Sequence, residues 1–96
     1  MITREEALGI AIAKIRSSWS IAEDEPLMSD EVREEDVGWV FFYGSRRFAE
    51  TGDFRYAIAG NGPVVVERES GAVLMLGTAF GVDYQLNEYR RIRSRA

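Results

Sequence analysis

The chain contains neither cysteine nor histidine. Those two absences exclude disulfides, thiolate nucleophiles, zinc centres built on sulfur or nitrogen, and any general base or triad built on imidazole. Lysine is almost missing as well: Lys14 is the one lysine among twelve basic residues, the rest being arginine. No apolar run approaches the roughly 20 residues that cross a bilayer. The amino terminus, Met1-Ile2-Thr3-Arg4-Glu5-Glu6, has none of the charged lead, apolar stretch and small-residue cleavage site of a signal peptide. A soluble cytoplasmic protein without membrane association is therefore expected. Two prolines and nine glycines in 96 residues are too few for a disordered chain.

What is present fits one folded unit spanning residues 1–96. A domain of this size buries roughly 60–65% of its unfolded surface, enough for a core without staples. Charge is divided unevenly. Residues 1–36 carry ten acids and four bases, a net −6, whereas residues 37–96 carry six acids and eight bases, a net +2. Along the first stretch Glu23, Asp24, Glu25, Asp30, Glu31, Glu34, Glu35 and Asp36 have only Arg33 as a neighbouring base. A focused negative patch is the expectation, and nucleic acid is a poor partner for it.

Thr3 followed by Glu6 spells a capping box, and Leu8, Ile12, Ile15 and Trp19 recur on one helical face, so a helix is predicted over residues 4 to about 18. Gly9 inside it costs about 1 kcal/mol relative to alanine unless a strand approaches the bare backbone. Residues 30–36 hold little apolar material but precede the strong strand Trp39-Val40-Phe41-Phe42-Tyr43, which makes them an edge strand turning near Asp36-Val37-Gly38. Residues 44–62 form an unusually long connection for a compact domain, implying a short helix, an extra strand or a functional loop. Phe54, Tyr56 and Ile58 alternate as a strand would, and Glu50-Thr51-Gly52-Asp53 reads as a turn. A last helix is predicted from Val82 to about Arg93, with Asp83 near its start, Arg90, Arg91 and Arg93 near its end, and Val82, Leu86 and Tyr89 on its buried face.

The run Gly60-Asn61-Gly62-Pro63-Val64-Val65-Val66-Glu67-Arg68-Glu69-Ser70-Gly71-Ala72-Val73-Leu74-Met75-Leu76-Gly77-Thr78-Ala79 writes out a β-hairpin, with Gly71 in the left-handed region of its turn. Both arms are apolar at successive positions, so the hairpin is central or covered on both faces. The run resembles the hallmark of the immunity protein 35 (YrhB-like) family: Gly-Asn-x-Pro, a short apolar strand, a charged turn with glycine, and Leu-Gly-Thr-Ala before a helix. Gly38-Trp39 with Val40-Phe41-Phe42-Tyr43, then Arg47-Phe48 and Glu50-Thr51-Gly52-Asp53, agree with the same family. Gln85 departs from it, standing where an aromatic is common beside the leucine that Leu86 represents.

Residue chemistry points away from catalysis. Consecutive strand positions face alternate sides, so Glu34, Glu35 and Asp36 cannot all converge on a metal or a substrate, and Gly60-x-Gly62 lacks the Gly-Lys-Ser or helix start of a phosphate loop. No cofactor is implied. Trp39 and the aromatics after it read as packing, and Arg46, Arg47 and Arg55 as solvated bases or partners of the acidic patch. The expected fold is α+β: a helix, an antiparallel sheet of about four strands and a final helix, with both helices on one sheet face. The resemblance implies a non-enzymatic inhibitor that binds a cognate toxin. Under that reading Glu31, Glu34, Glu35 and Asp36 are contact residues, with Arg46, Arg47 and Asp53 in a second contact region. A chaperone-like binder of many clients, marked by an exposed apolar patch, and a carboxylate-based enzyme, marked by two acids converging in a pocket, are the competing classes.

Overall fold

In the computed structural model, which describes residues 1–20, 23–53, 62–78 and 80–93, the elements are α1 (Arg4–Ser18), β1 (Pro26–Glu34), β2 (Gly38–Ser45), α2 (Arg46–Thr51), β3 (Val64–Glu67), β4 (Val73–Met75) and α3 (Val82–Arg93). Among the described residues four strands make one antiparallel sheet in the order β1-β2-β3-β4. The class is α+β, as the sequence indicates. The alternation of Phe54, Tyr56 and Ile58, the position of Arg55 and the Gly60-Asn61 part of the leading turn lie outside the described residues.

Helices α1 and α2 are started by local chemistry. Thr3 and Glu6 form the expected capping box: the Glu6 amide donates to Thr3 Oγ1 at 3.1 Å and the Thr3 amide donates to Glu6 Oε1 at 3.2 Å. Ser45 caps α2 by accepting from the Phe48 amide at 3.1 Å, and left-handed Gly52 ends that helix by donating its N–H to the Phe48 carbonyl at 2.8 Å. Part of the long connection is thus a short helix. The β3–β4 turn closes as predicted, with Gly71 at φ +76° and its N–H donating to the Glu67 carbonyl at 2.9 Å.

The helices do not share a sheet face, contrary to the expectation from the sequence. Trp39, Phe41, Val64 and Val66 point to one side, where Ala7, Ala11 and Ile15 of α1 cover them. Val40 and Val65 point to the other, where Leu86 of α3 packs with Val37 and Leu76, flanked by Val82 and Tyr89. The reason is the pleat: successive side chains of β2 and β3 leave on opposite sides, and both sets are apolar. One helix cannot cover two faces, so α1 takes one and α3 the other. The buried stripe of α1 also differs from the predicted one. Ala7, Ala11 and Ile15 are buried, Ile12 is half-buried, and Leu8 is 39% exposed. The aromatic rings of Trp39 and Phe41 fill the space beneath α1, and the alanines let its backbone come close to them.

Gly9 sits on the outer side of α1 with nothing within 4 Å of where a Cβ would be. Gly9→Ala is therefore expected to stabilise the protein by about 0.5–1 kcal/mol. A raised urea midpoint with an unchanged slope would show it; a lowered midpoint would mean that the bare backbone is needed.

Candidate partner-binding site

The acidic stretch that ends β1 and leads into β2 is not left alone by the fold. Glu35, just past the end of β1, receives Arg33 of that strand at 3.2 Å and Arg90 of α3 at 3.0 Å. Asp36 receives Arg90 at 2.7 Å, Glu34 receives Arg68 at 3.6 Å, and Arg33 also reaches Asp83 at 2.6 Å. Arg68 donates to the Glu35 carbonyl at 2.9 Å and stacks its guanidinium 4.5 Å from the centre of the Trp39 ring. Three arginines from β1, the β3–β4 turn and α3 therefore converge on three consecutive acids. The isolated negative patch expected from local sequence is largely neutralised at Glu34, Glu35 and Asp36 by bases more than thirty residues away. The same pairs clamp α3 to the β1–β2 turn.

Charge of both signs also meets at the opposite end of the β1–β2 hairpin. Asp24 accepts from the Ser45 hydroxyl, from the Arg47 amide at 3.0 Å and from the Glu25 amide at 2.8 Å. Its carbonyl accepts from the Trp19 indole at 3.2 Å. Ser45, although buried, is fully used: it donates to Asp24 and caps α2. Arg46 pairs with Glu25 at 2.5 Å, and Arg47 donates to the Glu23 carbonyl. A cleft of about 460 Å³ opens here between Glu23, Asp24, Glu25 and the side of α2 that carries Arg46, Arg47 and Glu50. Among the described residues no group of three or more carboxylates is placed to hold a metal ion.

Two of these carboxyls titrate below the ordinary 3.8. For Asp36 the hydrogen bond from Arg90 is the main cause and outweighs desolvation. For Asp24 desolvation is the largest single influence and acts upward, but the Ser45 hydroxyl, the Arg47 and Glu25 amides and the Arg47 charge together carry it down. A carboxyl that binds its proton less tightly folded than unfolded stabilises the fold above its unfolded pKa, and that contribution is lost as pH falls through the lower folded value. The thermal midpoint is thus expected to stay level from about pH 7 to 5 and to drop below about pH 4, with Asp36→Asn shallowing the drop. Asp36 is 70% exposed, so solvent screening keeps its share small. An identical acid slope in wild type and variant would contradict the assignment.

The seven residues singled out from sequence thus fall into two groups. Glu31, Glu34, Glu35 and Asp36 lie toward one end of the β1–β2 hairpin, and Arg46, Arg47 and Asp53 beyond the other. Register sets the separation: Glu34 pairs with Trp39 and Pro26 with Ser45, about 20 Å apart along the unbulged strand β2 at 3.3 Å per residue. Glu31 is exposed on β1, and the Asp53 amide donates to Thr51 Oγ1 at 3.1 Å. Sequence reasoning missed Arg68, Arg90, Asp24 and Ser45 as organisers of these regions. Only Ser45 left a local signal, a capping residue ahead of Arg46-Arg47-Phe48.

The arrangement is that of a small α+β domain, a sheet with a helix on each face and ion-paired regions at its two ends. Residues 5–92 match the family described as Immunity protein 35, and the chain belongs to that family. Over 52 residues it is 40% identical to the uncharacterized protein YrhB of Escherichia coli (strain K12), a stretch covering 54% of this chain and 55% of that protein. The chain thus spans about half the length of the curated relative it matches. No solved structure matches it. Among the described residues no helix is long and apolar enough to cross a membrane.

Proposed function

We propose that this protein is a non-enzymatic immunity protein that binds a cognate toxin in the cytoplasm and neutralises it. The observation that carries the reading is family membership over residues 5–92, a span running from α1 through α3. The contact surface on this reading includes Glu31, Glu34, Glu35 and Asp36 at one end of the β1–β2 hairpin, with Arg46, Arg47 and Asp53 at the other. A net charge of −4 on a compact domain would favour rapid encounter with a basic toxin surface and work against nucleic acid. The test is growth of cells expressing the gene immediately upstream in the source genome, with and without this chain. Toxicity of the neighbour alone, relieved by co-expression, is the expected result. A toxic neighbour that this chain does not relieve would refute the pairing.

One observation favours a second reading, a chaperone-like binder of many proteins. Between β4 and α3 runs an apolar groove of about 400 Å³ lined by Leu74, Leu76, Tyr84, Tyr89 and Ile92. Leu74, Tyr84 and Ile92 are 41%, 55% and 64% exposed, so apolar side chains sit together at the surface here. Suppressed aggregation of several unrelated heat-denatured proteins would support it, and suppression unaffected by Leu74→Glu would remove the groove from the explanation.

A further inference from the structure

We propose that the toxin-binding surface centres on the groove between α1 and the bulged edge strand β1, and that this groove receives a lysine or arginine side chain of the partner. The inference rests on the immunity reading and names the part of the surface that would do the work.

Glu34, Glu35, Asp36, Glu25, Asp83 and Glu88 each pair with an arginine. Among the described residues Glu5, Asp30 and Glu31 have no such partner; Glu5 and Asp30 face each other where the first turn of α1 passes β1, and Glu31 follows Asp30 on the exposed edge strand. A groove of about 430 Å³ runs between these elements. Leu8, Met28 and Val32 supply apolar lining, Glu5 and Asp30 supply negative charge, and Arg4 leaves that lining with a net charge of −1.

Backbone geometry adds to this. Strand β1 is an edge of the sheet, and its pairing with β2 is interrupted between Met28 and Val32. Ser29, Asp30 and Glu31 thus stand outside the ladder, and the Glu31 amide donates to Ser29 Oγ at 3.1 Å, which helps hold the bulge. An apolar trough edged by unpaired carboxylates suits a long aliphatic stem that ends in a cation, because the stem can lie on Leu8, Met28 and Val32 while its tip reaches oxygen. The cluster at residues 34–36 is less suited. A docking cation there would have to displace Arg33, Arg68 or Arg90, giving up an existing pair for each one gained.

Acids on an edge strand also discourage edge-to-edge aggregation, and lysine serves that purpose equally well. Charge reversal therefore separates the two roles. The experiment measures binding of wild type, Asp30→Lys, Glu31→Lys and Glu69→Lys, a position in the β3–β4 turn outside the groove lining, to the protein encoded immediately upstream, at low and high salt. Each variant shifts net charge by the same amount, and thermal melts establish that each is folded. Weakening by about tenfold or more for Asp30→Lys and Glu31→Lys at low salt is expected, against no more than about threefold for Glu69→Lys. Equal effects at all three sites, or none at Asp30 and Glu31, would overturn the groove while leaving immunity in place. A wild-type chain that neither binds nor protects would overturn immunity, and the groove with it.

Discussion

Gly38→Ala is expected to lower stability by about 3 kcal/mol or more, a large share of the roughly 5–14 kcal/mol available to a domain of this length. Gly38 begins β2, opposite Glu67 of β3. A Cβ at this position would overlap the Val66 carbonyl oxygen and come within 2.9 Å of the Arg68 nitrogen. Both obstacles are backbone atoms of the paired strand, so no rotamer change relieves them. β2 and β3 would have to part here, straining the 2.8 Å bond from the Arg68 amide to the Val37 carbonyl and moving Arg68 off the Trp39 ring. Urea unfolding would show a midpoint well below that of wild type. A midpoint within experimental scatter of wild type would mean that the close approach is not real.

Phe41→Ala is expected to cost about 3–5 kcal/mol, the range for emptying an aromatic site in a packed core. Phe41 is 1% exposed on the central strand β2, between Val32 of β1 and Val64 of β3 and under the buried stripe of α1. Few neighbours can move into the space, because both flanking strands are held by their ladders. Leu8→Ala provides the contrast. Leucine at a predicted core position of α1 would ordinarily be worth 2–5 kcal/mol, but Leu8 is 39% exposed, and its loss should cost less than about 1 kcal/mol. Comparable destabilisation by the two substitutions would restore the helical face predicted from periodicity and refute the observed one.

Much of the fold was legible because its signals are local. Thr3 and Glu6 mark a helix start through their own hydrogen bonds, Gly71 marks a turn through its positive φ, and the unbroken apolar run of β3 announces burial on both faces, whereas the equally apolar β4 is the sheet edge and leaves Leu74 41% exposed. The α1 face was misread because hydrophobicity alone favours Leu8 over Ala7, whereas burial was settled by Trp39 and Phe41 on a strand more than twenty residues away. Gln85, an oddity in the sequence, acquires a purpose only in place. Its amide accepts from the Gly77 N–H at 2.9 Å and donates to the carbonyls of Gly77 at 2.9 Å and Phe80 at 2.8 Å, tying the β4–α3 connection to the helix.

The candidate site was legible only as composition. Eight acids between residues 23 and 36 with one nearby base predict a negative patch, and counting cannot foresee that Arg68 and Arg90 return to Glu34, Glu35 and Asp36 while Asp30 and Glu31 receive no base among the described residues. By itself the sequence determined the α+β class, the starts of α1 and α3, the hairpin turn and the family, all of which rest on short-range backbone preferences and on patterns contiguous in the chain. Tertiary structure alone decided which helix covers which face and which carboxylates stay unpaired, because both depend on how distant segments meet. Coulombic pairing and packing act through space, and the chain's order does not record that distance.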